Sequence, residues 1–152
     1  MHKKIVGVIG GRQCTDEVER LAHELGKKLA KVVKYLVCGG LSGVMVHVSK
    51  GFQEEGGTTI GIIPGYAKED ANAHIDIVVP TGLGLARNVL VVTTADVVIA
   101  LPGESGTLSE IAYCLQFNKP VLSLGSWDIP GVVPVATADE AVAKTREIVN
   151  RA

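Results

Sequence analysis

Short apolar runs alternate along the chain with segments of helical period. The runs are Ile5–Ile9, Tyr35–Cys38, Thr59–Ile63, Ile75–Val79, Val97–Leu101, Val121–Leu124 and Val132–Val135. Most are near-continuously apolar and rich in Val and Ile, the signature of strands buried on both faces of a parallel sheet. Between the first two runs, Val18, Leu21, Ala22, Leu25, Leu29, Val32 and Val33 fall at i, i+3, i+4, i+7, i+11, i+14 and i+15. That spacing is one helix face. Val44, Met45, Val48 and Phe52 form a second stripe, ended by Gly56-Gly57. Ala86, Val89, Leu90 and Thr93 predict a third helix, and Leu108, Ile111, Ala112 and Leu115 a fourth, closed by Pro120. The last stripe, Ala138, Ala141, Val142, Thr145, Ile148 and Val149, is opened by the capping box Thr137-x-x-Glu140.

Strict alternation of strand and helix predicts an α/β, doubly wound, mostly parallel sheet of about seven strands flanked by helices. No linker, internal repeat or low-complexity tract interrupts residues 1–152, so one domain is expected. The segment Pro64–His74 is the one long loop, expected as a surface excursion rather than a lid.

Composition narrows the function classes. The chain is 47% hydrophobic and 20% charged, which excludes a disordered polymer. Fifteen basic and 16 acidic residues leave a net charge of −1, which argues against a surface built mainly for nucleic acid or anionic membrane. The 4% of aromatics also argues against base-stacking platforms. The apolar start is short and soon meets Arg12, unlike a signal peptide. Val89–Leu101 is interrupted by Thr93, Thr94 and Asp96 and is too short to span a bilayer. Cys14, Cys38 and Cys114 form no CxxC pair, which fits a reducing, cytoplasmic setting. His2, His23, His47 and His74 show no ligand spacing, so neither a structural metal nor a required cofactor is expected.

In a doubly wound sheet, ligands bind beyond the carboxyl ends of the strands. Three of these junctions are glycine-rich: Gly10-Gly11-Arg12, then Gly39-Gly40-Leu41-Ser42-Gly43-Val44-Met45, then Pro102-Gly103-Glu104-Ser105-Gly106-Thr107-Leu108-Ser109-Glu110. In the last two a helix begins at about the final glycine. Bare backbone approaches a ligand closely, and the free N–H groups of a helix start favour an anion. The candidate ligand- or phosphate-binding residues are Gly10, Gly11, Gly39, Gly40, Gly43, Met45, Gly103, Ser105, Gly106 and Thr107. A plainer reading makes these glycines turn formers only. A dinucleotide fingerprint is excluded by the spacing of Gly7-Val8-Ile9-Gly10-Gly11-Arg12 and by Cys38-Gly39-Gly40 where an acidic residue belongs. No Gly-Lys-Ser/Thr and no Gly-x-Ser-x-Gly occurs, so neither a P-loop nor a nucleophile elbow is present.

Gly39-Gly40-x-x-Gly43-Val44-Met45, Gly56-Gly57-Thr58-Thr59-Ile60-Gly61-Ile62-Ile63-Pro64, Arg87 and Leu101-Pro102-Gly103-x-x-Gly106-Thr107-x-x-Glu110 together resemble the LOG (LONELY GUY) superfamily. The compact length and the Gly-Val-Met block look closest to its molybdenum-cofactor carrier branch, and DNA-processing proteins of the DprA type share the broader fold. The resemblance implies a Rossmann-like homodimer that binds a nucleotide or pterin monophosphate at the strand ends. In LOG enzymes the corresponding cleft hydrolyses the N-glycosidic bond of a nucleoside 5′-monophosphate, and the catalytic positions map to Arg87 and Glu110. In the carrier branch the cleft holds a pterin monophosphate, molybdopterin, without turnover.

Both mapped residues have bland alternatives. Thr107-x-x-Glu110 also reads as a capping box, and Arg87 alone reads as a surface charge. Two departures from the family pattern stand out. Glu104 replaces the second motif glycine, and a carboxylate there repels a phosphate by on the order of a few kcal/mol at intermediate dielectric. Asn88 follows Arg87 where LOG enzymes carry Lys. Ligand binding is therefore the first reading, a LOG-like phosphoribohydrolase the second, and DprA-like binding of single-stranded DNA a third that the near-neutral charge disfavours. Trp127 is expected to cover a sheet edge.

Overall fold

The computed structural model describes residues 2–151, so Met1 and Ala152, the ends of the expected domain, lie outside the described residues. Its strands are β1 (Ile5–Ile9), β2 (Tyr35–Cys38), β3 (Thr58–Ile63), β4 (Ile77–Pro80), β5 (Val97–Ala100), β6 (Val121–Leu124) and β7 (Val133–Val135). Between and after them run α1 (Asp16–Leu29), α2 (Val44–Glu54), α3 (Asn88–Thr94), α4 (Ser105–Gln116) and α5 (Ala138–Arg151). A 3-10 turn, Gly84–Arg87, leads into α3. The strands form one sheet in the order β4-β3-β2-β1-β5-β6-β7. Every pairing is parallel, so the sheet expected to be mostly parallel is wholly so.

Alternation along the strands sorts the core into two layers. Val6 and Val8 of β1 and Val97 and Ile99 of β5 pack with α1, α2 and α5. Ile9, Val98 and Ala100 point the other way, into the layer of α3 and α4. Each inner strand is thus covered on both faces, which is why these runs carry no polar alternation. At the start of α5 the expected Thr137–Glu140 pair caps the helix, with the Glu140 side chain reaching one residue further back than in a strict capping box. The Glu140 amide donates to Thr137 Oγ1 at 3.1 Å, and the Glu140 carboxylate accepts from the Ala136 amide at 2.7 Å.

Apart from one-residue shifts at strand ends, three elements differ from the sequence pattern. The first helix ends at Leu29, so Val32 and Val33 of the expected stripe lie beyond it, where the chain turns toward β2. The fourth strand begins at Ile77 rather than Ile75, because Asp76 closes a local ring: its carboxylate accepts from the Thr59 amide at 2.8 Å and from the Thr59 hydroxyl at 3.1 Å. The third helix is rotated about its axis relative to the expected stripe. Ala86 and Thr93 are exposed, while Arg87, Asn88, Val91 and Val92 are buried. Hydrophobicity alone put the wrong face inward here, because the buried polar pair is satisfied by hydrogen bonds that no periodicity encodes. The Pro64–His74 loop is a surface excursion with a 3-10 turn at Lys68–Asp70, pinned where Asn72 Nδ2 donates to Leu41 O at 2.8 Å.

Candidate functional site

β1 has β2 on one side and β5 on the other, and the chain leaves β1 and β5 in opposite directions. The loops after these two strands therefore diverge, and a crevice opens between them at their carboxyl ends. A cleft of about 620 Å³ lies there. Its walls are residues 10–13 after β1, Gly39, Leu41 and Ser42 after β2 with Met45 of α2, and residues 104–107 with Glu110 on α4. Arg87 and Asn88 close the side toward α3.

The loop after β1 is clamped from both sides. The Gly11 amide donates to Pro102 O at 2.9 Å, and Gly11 O accepts from the Val44 amide at 3.0 Å. The Ser42 hydroxyl donates to Arg12 O at 2.9 Å. The two glycine-rich helix starts are consequently unequal. At α2 the first amide is occupied by a protein carbonyl. At α4 the first intrahelical bond runs from Leu108 N to Glu104 O, and the amides of Ser105, Gly106 and Thr107 meet no protein acceptor among the described residues. Three free donors and the positive end of the helix dipole thus face the cleft.

The candidate ligand residues divide accordingly. Gly10, Gly11, Gly39, Met45, Ser105, Gly106 and Thr107 line the cleft, together with Arg87 and Glu110. Gly40, Gly43 and Gly103 stand behind the wall. Gly43 has φ +63°, and a Cβ on it would lie 2.3 Å from Gly11 O. A Cβ on Gly103 would lie 2.0 Å from Thr107 Oγ1. These two glycines let the loops pack, and through them the cleft keeps its shape.

Arg87 is no surface charge. It is 6% exposed, and its Nε donates to Ile62 O at 2.9 Å, one Nη to Gly39 O at 3.4 Å and the other to Asn88 Oδ1. Asn88 Nδ2 in turn donates to Ser109 Oγ at 3.1 Å. The side chain that stands where LOG enzymes have Lys thus fixes the arginine head instead of adding a charge. Burial lowers the Arg87 pKa, and nearby Glu110 opposes that shift.

Glu110 does not cap its helix. α4 begins at Ser105 with Glu104 as N-cap, so Thr107 sits inside the first turn and no side-chain cap bond forms. The Glu110 carboxyl is 8% exposed, faces the cleft and finds no hydrogen-bond partner among the described residues. Desolvation pushes its pKa up from 4.5 to about 8, with Arg87 pulling the other way. Two exposed charges complete the rim: Glu104, and Arg12, which the candidate set above leaves out. Its sequence signal is its place directly after Gly10-Gly11 at the end of a buried strand. Trp127 is not on the cleft wall. Among the described residues no group of His, Cys, Asp and Glu side chains is arranged to hold a metal ion, and no helix is long and apolar enough to cross a membrane.

The loops after β1, β2 and β5 thus gather around the buried Arg87 and Glu110. The chain belongs to the SLOG cluster4 family. The family's sequence profile matches residues 3–151. Several solved structures resemble this one closely. A molybdenum cofactor binding protein of the phototrophic bacterium Rippkaea orientalis is 35% identical, with a TM-score of 0.90 over 98% of this chain and 99% of that one. The molybdenum cofactor carrier protein of Chlamydomonas reinhardtii is 34% identical, with a TM-score of 0.87 over 97% of this chain and 99% of that one. A protein of Oryza sativa subsp. japonica described as a "probable cytokinin riboside 5′-monophosphate phosphoribohydrolase" is 36% identical over 130 residues. That match spans 80% of this chain and 57% of the rice protein. DprA of Helicobacter pylori, 20% identical with a TM-score of 0.73, shares the fold alone.

Proposed function

We propose that this protein binds a nucleotide or pterin-type monophosphate in the cleft, as a carrier of the molybdenum-cofactor type, without needing a further cofactor. The observation that carries this reading is the first turn of α4, whose residues Ser105, Gly106 and Thr107 line the cleft with backbone amides that meet no protein acceptor among the described residues. Such a turn is suited to a phosphate. Gly10, Gly11, Gly39 and Met45 line the opposite wall, where a Cβ on Gly10 would strike Val44, one on Gly11 would strike Gln13 O, and one on Gly39 would strike Arg87 and Met45. A volume of about 620 Å³ suits a ligand of that size, since small-molecule sites commonly measure about 300–1,000 Å³. The carrier proteins that match this chain nearly end to end support the same reading. The three cysteines are free thiols, which fits a cytoplasmic protein. Titration calorimetry against AMP, other nucleoside monophosphates and molybdopterin tests it. Saturable heat from at least one is expected; no heat from any of them overturns it.

A second reading, a phosphoribohydrolase, is favoured by one observation: the unpartnered Glu110 beside Arg87. In that reaction water attacks C1′ of the ribose, the C1′–N bond breaks, and the base leaves with a proton. A carboxylate at Glu110 would stabilise the positive charge that builds on the ribose. With a pKa near 8, Glu110 is mostly protonated at neutral pH. That favours holding the ligand over cleaving it there. Free base appearing from a nucleoside monophosphate, and disappearing in Glu110→Gln, would select the enzyme.

The reading also includes a homodimer. Ile77 and Val79 of β4 lie in register beside Ile60 and Ile62, on the α3 side of the sheet, where no helix covers them. Leu83 and Leu85 next to them are exposed, Leu85 by 76%. A second copy related by a two-fold axis would cover this apolar edge. Light scattering would then give twice the mass of one chain.

A further inference from the structure

We propose that Asn88 and Ser109 are positioning residues that join the buried Arg87 to the Thr107 amide of α4, so that the guanidinium acts on a bound anion through a one-way chain of hydrogen bonds rather than by contact. The inference rests on the binding reading above and adds how the anion seat acquires its charge.

Arg87 lines the cleft, yet each of its guanidinium nitrogens is committed to the protein: Nε to Ile62 O, one Nη to Gly39 O and the other to Asn88 Oδ1. Among the described residues no carboxylate pairs with it. A buried cation therefore stands at the cleft with no nitrogen left over for a ligand.

The chain that leads on from Arg87 has one possible direction. A guanidinium carries donors and no acceptor, so Asn88 must turn its oxygen to Arg87 and its Nδ2 to Ser109. An amide nitrogen only donates, so Ser109 Oγ accepts at 3.1 Å, and its own proton goes on to Gly106 O at 2.6 Å. Gly106 O and the Thr107 N–H belong to the same trans peptide unit and point in opposite directions. Donation into that carbonyl fixes and polarises the amide on its far side, and the Thr107 amide meets no protein acceptor among the described residues.

A helical serine commonly bonds back to a carbonyl one turn earlier, and by itself that bond is local. Here a second donor enters it from α3, and that donor is in turn bonded to a cation. Asn88 is only 3% exposed, so water does not compete for its two bonds. Each donor in the series strengthens the next, and the low dielectric of a buried site lets the Arg87 charge be felt along it. A lysine in place of Asn88 has no acceptor for Arg87 and could not enter such a chain.

Titration calorimetry at neutral pH, with AMP, the other nucleoside monophosphates and molybdopterin, compares the wild type with Ser109→Ala, Ser109→Thr, Asn88→Ala and the double variant Asn88→Ala/Ser109→Ala. Ser109→Ala leaves every bond of Arg87 in place, and it should still weaken binding by about three- to tenfold, the scale of one hydrogen bond's net contribution. Asn88→Ala should weaken binding at least as much. The double variant should lose no more than Asn88→Ala alone, because two links of one series fail together. Ser109→Thr keeps the hydroxyl and should restore wild-type affinity. In the ligand-free protein the Thr107 amide proton resonance should move upfield in Asn88→Ala, although the change is made in another helix. Unchanged affinity in Ser109→Ala, additive losses in the double variant, no rescue by Ser109→Thr or an unmoved Thr107 resonance overturns the relay while leaving ligand binding intact. Failure of the wild type to bind any of these compounds overturns this proposal together with the reading beneath it.

Discussion

Glu110 and Arg87 share the buried end of one cleft without forming an ion pair. Arg87 turns its guanidinium to two backbone carbonyls and to Asn88, and the Glu110 carboxyl is left to face the cleft. The two groups interact only through their fields, which lower the pKa of Glu110 less than burial raises it. An acid that is mostly protonated at neutral pH can donate to a ligand oxygen, and loses that ability as it ionises.

The first prediction concerns pH. Below about 4.5 the folded and unfolded chains both hold the Glu110 proton. Between 4.5 and about 8 only the folded chain holds it, so stability falls as pH rises and levels off above about 8. The full effect is on the order of a few kcal/mol. Thermal melts of Glu110→Gln should show a gain over the wild type that grows across this window and is absent at acid pH. In the wild type, ligand affinity should fall as pH passes about 8, and the variant should lose that dependence.

Asn88→Ala removes the acceptor of one Arg87 nitrogen and the donor to Ser109 in a site only 3% exposed. A loss of about 1–3 kcal/mol in urea denaturation is expected, the cost of a buried group left unsatisfied. Ligand affinity should fall as well, because the released Arg87 head can swing into the cleft.

Gly103→Ala would drive its Cβ into Thr107 Oγ1 and to 2.9 Å from the Gly11 amide nitrogen. The loops after β1 and β5 would have to part. Destabilisation of about 1–3 kcal/mol is expected. Ligand binding should drop with it, measured by calorimetry below the melting transition.

The two Thr-x-x-Glu sequences should respond differently. Thr137→Ala removes a formed N-cap bond, so stability should fall by about 1 kcal/mol with ligand affinity unchanged. Thr107→Ala removes no cap bond, so its main effect should be on ligand affinity.

Leu83→Asp places a charge in the exposed apolar edge beside β4. Light scattering should show a shift from dimer to monomer with the fold, read by circular dichroism, unchanged.

Much of this architecture was legible in the residue pattern, for a physical reason. A strand buried on both faces must be apolar throughout, so Ile5–Ile9, Tyr35–Cys38 and Val121–Leu124 read directly off the chain with their observed limits. The junction glycines were legible too, because close loop packing tolerates no Cβ at Gly43 or Gly103. The face of α3 was not legible. Its buried side is polar at Arg87 and Asn88, and their partners, Ile62, Gly39 and Ser109, are distant in sequence.

The same limit separates the two Thr-x-x-Glu motifs. Local sequence determined that each can cap a helix. Whether it does depends on where the helix starts, and at α4 that start is Ser105, ahead of the threonine. The sequence by itself determined the strand-helix alternation and the glycine junctions, because burial and backbone geometry act residue by residue. Only the tertiary structure decided that the α2 amide meets Gly11 O while the α4 amides stay free, and that Glu110 is buried without a partner. Those outcomes depend on which groups from separate strands arrive at the same point, and no local pattern carries that information.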